Sequence, residues 1–131
     1  MKRAPDTVGE IMTREVVTVE PDESVRHAVR LMVEHAIGAV IVQEARRPVG
    51  VFTERDLTRS ILEHADTLDR RVGEMMSAPV VSSGPGEQIV DAFQLMNDRG
   101  IRRLAIMEDD RLVGVVTERD LLRWVGAVAA E

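Results

Sequence analysis

The sequence predicts a mixed α/β fold, of the α+β kind, in which a β-α-β-β-α unit occurs twice. Three observations lead there. Sliding the 131-residue chain against itself at an offset of 64 lays residues 8–60 over 72–124 without a gap, and 23 of the 53 positions are identical. Each copy alternates short β-branched runs with stretches of helical periodicity. The composition, 44% hydrophobic with two Phe, one Trp and no Tyr, requires an aliphatic core.

The elements follow in order within each copy. A short segment, VGEIM at 8–12 or VGEMM at 72–76, leads into VVTV at 16–19 or VVSS at 80–83, which read as strands. Pro21-Asp22 and Pro85-Gly86 are turn signals, and Asp22 or Glu23 places negative charge at the start of the helix that follows. Val25, Ala28, Val29, Met32 and Val33 recur at helical spacing, as do Ile89, Ala92, Phe93 and Met96, and this stripe reads as core. GAVIV at 38–42, a polar turn at 43–48 and VGVF at 49–52 make a hairpin. Its counterpart is RRLAIM at 102–107, EDDR at 108–111 and LVGVV at 112–116. A closing helix begins after Thr53 or Thr117, with Leu57, Ile61 and Leu62, or Leu121, Leu122 and Val125, on its apolar side. One such unit buries little core, so two are expected to pack together. The copies run over 8–64 and 72–128, with an N-terminal tail at 1–7 and a linker at 65–71 that reads as helix fraying into a short link.

Charge and composition narrow the function. A formal net charge of -6 and few aromatic rings argue against nucleic acid and anionic lipid as partners. No run approaches the roughly eighteen consecutive apolar residues of a membrane span. The absence of cysteine removes disulfides, thiol nucleophiles and Cys-based metal sites. His27, His35 and His64 lack the spacing of a ligand set, so no metal site is expected. There is no P-loop and no nucleophile elbow, so catalytic residues and an enzymatic activity are not expected. MKRAPDTVGE has no apolar stretch behind its basic start, which excludes a signal peptide and leaves the cytoplasm as the expected location.

One motif carries possible binding chemistry: Gly50-x-x-Thr53-x-x-Asp56, repeated as Gly114-x-x-Thr117-x-x-Asp120. Two readings stand side by side. Glycine near a strand end permits close approach, a helix N-terminus attracts phosphate, and an aspartate one turn in can accept hydrogen bonds from a ribose diol. The same spacing is also a capping box, in which Thr caps the helix and Asp reaches back to its amide.

The GVFTERDL and GVVTERDL blocks, the EIM and EMM segments each followed by a strand and Pro21 or Pro85, and HAIGAVIV beside RGIRRLAIM together resemble a tandem pair of CBS domains. The likeness, to a stand-alone Bateman-type module, spans residues 8–126. It implies a regulatory module whose two clefts take AMP, ADP, ATP, S-adenosylmethionine or NAD(H), with no obligatory cofactor. It further implies that Asp56 and Asp120 hold ribose hydroxyls and that Thr53 and Thr117 face the phosphate side. Val16, Val17 and Ile37, and Val80, Val81 and Ile101, are the implied adenine pockets, although each is equally suited to core. Arg102 and Arg103 resemble a basic pair for phosphate, where the first copy has Gly38 and Ala39; Arg55 and Arg119 rank second. The paired closing helices imply a homodimer, with Trp124 in the place of Ser60 as either an anchor of that contact or a locally packed core residue. Because the repeats occupy nearly the whole chain, any output is expected to act through the dimer or through an effector protein. A ligand-free structural or interaction module is the alternative.

Overall fold

The computed structural model describes residues 5–130. Of the tail expected at 1–7, residues 1–4 lie outside them. The elements run α1 (Val8–Ile11), β1 (Thr18–Val19), α2 (Val25–His35), β2 (Ala39–Glu44), β3 (Arg47–Thr53) and α3 (Glu54–Glu63), followed by a 3-10 turn at Thr67–Asp69. The second copy repeats them as α4 (Val72–Met75), β4 (Ser82–Ser83), α5 (Ile89–Arg99), β5 (Arg103–Glu108), β6 (Arg111–Thr117) and α6 (Glu118–Ala129).

Each copy contributes one three-stranded sheet, β1-β2-β3 or β4-β5-β6. The leading strand lies parallel to the middle one, in register Thr18 with Ile41 and Ser82 with Ala105, and the remaining pair is an antiparallel hairpin. The leading strands are two residues long rather than four. The hairpin turns are tighter than the sequence suggested. Ala45-Arg46 and Asp109-Asp110 all have positive φ, between 51° and 66°, the conformation of a two-residue type I′ turn whose twist matches the flanking strands.

Packing divides the chain into two compact units that cut across the repeats: Val16–Val80 is one, and the other joins the chain up to Glu15 with Val81 onward. The short helices cause the exchange. In one unit Val8 N–H donates to Glu87 O and Gly9 N–H to Pro85 O, each at 2.9 Å. In the other, Val72 N–H donates to Glu23 O at 2.8 Å and Gly73 N–H to Pro21 O at 2.9 Å. A Cβ on Gly9 or Gly73 would come within 2.9 Å of that proline carbonyl oxygen, so both sites require glycine.

Each unit has its own aliphatic core. Val8, Ile89, Ala92, Met96, Leu104, Ile106, Val116 and Leu121 form one; Val19, Val25, Ala28, Met32, Val40, Val42, Phe52 and Val72 form the other. Full burial of each large member contributes about 1.5–3 kcal/mol. Met32 and Met96, read as core, lie there, whereas Val33 of the same stripe is exposed.

The segment at 65–71 is ordered: Thr67 is buried, its hydroxyl 2.7 Å from the carbonyl oxygens of Ser60 and His64, and Val25 N–H donates to Arg70 O. Trp124 is used locally, its indole N–H donating to Pro5 O at 2.7 Å and its ring 6.3 Å from Phe93. Ser60, at the matching position, instead meets Thr67 and the sulfur of Met75. On the apolar side of α6, Leu121 is buried in the core and Leu122 is exposed beside it.

Candidate functional site

The site builds outward from the junction of the third strand and the closing helix. Because β2 and β3 are antiparallel, Ala39 pairs with Thr53, and in the second copy Arg103 pairs with Thr117. The first helical amide then reaches back across the junction: Glu54 N–H donates to Gly38 O, and Glu118 N–H to Arg102 O, each at 3.1 Å. Residues 37–39 and 101–103 are thereby held beside the Thr-x-x-Asp turns.

Both turns are capping boxes, so the structural reading of the motif is realised in each copy. Thr53 N–H and hydroxyl donate to Asp56 Oδ2 at 2.9 and 3.0 Å, and Asp56 N–H donates to Thr53 Oγ1 at 3.2 Å. The Thr117–Asp120 box has matching distances of 2.9, 3.2 and 3.4 Å. The glycines of the motif also find a protein neighbour. A Cβ on Gly50 would lie 2.9 Å from Met76 Cγ and from Ser77 O, and one on Gly114 would lie 2.8 Å from Met12 Cγ. The close approach permitted by glycine is made by a methionine side chain.

The second oxygen of each aspartate separates the copies. Asp56 Oδ1 accepts from the Ser77 hydroxyl at 2.7 Å and from the Arg59 guanidinium at 2.8 Å, and the side chain is 1% exposed. Asp120 has the same box, but among the described residues its Oδ1 carries no hydrogen bond or ion pair. Asp120 is 7% exposed overall, and no fully enclosed, unpartnered side-chain polar atom occurs among the described residues. Oδ1 therefore keeps its small contact with solvent. It is a carboxylate oxygen at the edge of the solvent, open to a donor from a ligand or from water.

The basic residues are distributed unequally. Arg102 is exposed and 3.6 Å from Glu118, a surface pair worth about 0–1 kcal/mol that a phosphate could displace. Arg103 is half-buried on β5, level with Thr117, and is already engaged. Arg55 and Arg119 project from the first turns of α3 and α6 and are exposed.

Among the six apolar candidates, Val17, Val81 and Ile101 pack against their units' cores. Val17 O accepts from Ile41 N–H at 3.1 Å and Val81 O from Ala105 N–H at 3.2 Å. Val16 and Val80 are half-buried, and Ile37 is 36% exposed. Continuing the parallel register by two residues brings Val16 level with Ala39 and so with the Thr53 end of its sheet. A separate cavity of about 480 Å³, lined by Glu20, Asp22, Glu44, Arg71, Glu74 and Met76 among others, contains none of the predicted residues.

Sequence reasoning missed Ser77 and Arg59. Arg59 has an identical counterpart in Arg123, so only the mismatch of Ser77 with Thr13 marks the difference.

Residues 8–63 and 72–127 each match the CBS domain family. The chain is a CBS-domain protein. Over 115 residues it is 36% identical to the CBS domain-containing protein YhcV of Bacillus subtilis, covering 88% of this chain and 82% of that one. Over 120 residues it is 38% identical to the uncharacterized protein MK0525 of Methanopyrus kandleri, covering 89% of this chain but 61% of the relative's length. The crystal structure of the CBS-domain protein ATU1752 from Agrobacterium tumefaciens superposes with a TM-score of 0.84 at 30% identity, over 92% of this chain and 93% of that one. The CBS pair of protein MJ0100, crystallised with 5′-methylthioadenosine and S-adenosyl-L-methionine, shares the fold with a TM-score of 0.83 at 23% identity, over 95% and 99% of the two chains. These likenesses establish two CBS domains and their α+β architecture.

Proposed function

We propose that this CBS pair is a regulatory module that binds a small adenosine-type ligand: AMP, ADP, ATP, S-adenosylmethionine or an NAD-type nucleotide. The observation that carries the reading is Asp120 Oδ1, which has no hydrogen bond or ion pair among the described residues, on a carboxylate fixed by its own helix cap. A ribose diol supplies two hydroxyl donors to such an oxygen, and the amide-rich start of α6 is electrostatically suited to the phosphate beyond it. Arg102 stands at the same junction, available for a charge-assisted contact. Val81 and Ile101 offer the apolar surface for the base. The corresponding set in the first copy is Asp56, Thr53, Arg55, Val16, Val17 and Ile37; Thr117, Arg103, Arg119 and Val80 complete the second. The crystallised MJ0100 pair supports the reading as a precedent of fold.

Occupancy shifts a conformational equilibrium only by the ligand's differential affinity for the two states. The output passes to an effector protein or through a homodimer, whose contact we assign to the exposed Ile61, Leu62, Leu122 and Val125 of α3 and α6. We place such a module in the cytoplasm, where adenosine nucleotides are abundant. A ligand-free interaction module is the second reading, favoured by both threonine hydroxyls being engaged in their caps.

The test is calorimetric titration of nucleotide-stripped protein with AMP, ATP, S-adenosylmethionine and NADH. Binding of at least one is expected, with Asp120→Asn weakening it by roughly tenfold or more, the value of one lost charge-assisted hydrogen bond. Silence at millimolar concentrations sinks the sensor reading in favour of the interaction module.

A further inference from the structure

We infer that Ser77 and Arg59 form a latch that closes the Asp56 site, so that the chain takes one adenosine-type ligand, at Asp120, rather than two. The inference rests on the adenosine-binding reading and adds the control of occupancy. Asp56 accepts four hydrogen bonds: two from Thr53 on Oδ2, and those from Ser77 and Arg59 on Oδ1. No acceptor position is left for a ribose diol. Among the described residues, Asp120 accepts only the two from Thr117.

At the sequence level the two latch positions differ in one side chain, Ser77 against Thr13. Backbone geometry is the same in both units: Ser77 and Val51 exchange both of their amide hydrogen bonds at 2.9 Å, and Thr13 and Val115 do so at 2.9 and 3.0 Å. The serine hydroxyl turns onto Asp56, whereas the threonine hydroxyl makes no bond to Asp120. The same backbone position thus serves as a donor in one unit and not in the other. Arg59 has the conserved-in-repeat counterpart Arg123, yet only Arg59 is drawn onto its aspartate, across one helical turn and to within 3.5 Å of Met75 O. A ligand entering at Asp56 must break two charge-assisted bonds before it forms its own.

The test compares wild type with Ser77→Ala and with Ser77→Ala/Arg59→Gln, each also in an Asp120→Asn background. The probe is AMP, replaced by ATP, S-adenosylmethionine or NADH if one of those is what the wild type takes. Ser77 is exposed, so its truncation alone leaves the fold intact should the double variant fail to fold. The expected result is one ligand per chain for wild type and two for the unlatched variants. In the Asp120→Asn background, unlatching is expected to raise affinity by at least tenfold. A wild type with two ligands per chain, or an unlatched variant that stays at one, overturns the latch and leaves the proposed function standing. If the wild type binds nothing while the unlatched protein binds, the proposed site at Asp120 fails and the latch stands. Silence from both overturns both.

Discussion

The two ends of α2 and α5 show what one residue contributes. Each helix finishes on a left-handed residue whose amide bonds back into the last turn, but the residue is Ala36 at φ 52° in the first copy and Gly100 at φ 61° in the second. An L-residue with a Cβ pays roughly 1 kcal/mol for this conformation and glycine does not. Ala36→Gly is therefore expected to stabilise the protein by about 0.5–1 kcal/mol, and Gly100→Ala to destabilise it by about 1 kcal/mol. A Cβ on Gly100 meets nothing within 4 Å, so strain rather than collision sets the size of the loss. Thermal melts check both, with shifts of roughly 2–6 °C in opposite directions. Equal or same-sign shifts contradict the assignment.

At the scale of elements, the sequence was a good guide where periodicity and repetition reinforced each other, and a poor one where a contact is made by a distant segment. The central helices, both hairpins and the caps at Thr53 and Thr117 were legible because apolar spacing, β-branched runs and Thr-x-x-Asp are local signals. The four-residue α1 and α4 were not: VGEIM and VGEMM have no helical periodicity to read, and their backbone partners lie 49 to 79 residues away. The same non-locality hid the neighbour of the motif glycines. From sequence, Gly50 and Gly114 leave room for any group, and only the placement of α1 and α4 shows Met76 and Met12 in that space. Gly50→Ala and Gly114→Ala should each cost about 1–3 kcal/mol, because the flexible methionine can move but Ser77 O and Thr13 O, at 2.9 and 3.1 Å from the added carbon, are backbone. Denaturant midpoints measure this. Met76→Ala should restore only part of the Gly50→Ala loss, and full restoration would show that the methionine alone sets the constraint.

At the scale of the whole molecule, duplication and packing follow different boundaries. Val8 and Val72 are equivalent in sequence and both fully buried, but Val8 belongs to the core with Leu104, Ile106 and Val116, and Val72 to the core with Val40, Val42 and Phe52. A truncation in the first repeat should therefore loosen the sheet of the second. Val8→Ala removes two buried methyl groups and leaves a cavity, for an expected loss of about 1–3 kcal/mol. Native-state hydrogen exchange resolves where that loss falls, since local opening reports the stability of each cooperative region. Amide protection at Leu104–Ile106 should drop in Val8→Ala while Val40–Val42 hold, and Val72→Ala should give the reverse. If each substitution lowers protection in its own repeat, the exchanged arrangement of α1 and α4 is wrong; if both sheets lose protection together, the two cores open as a single cooperative unit. The crossed outcome follows from the threading of the chain, since each repeat supplies the short helix that completes the core of the other repeat's sheet.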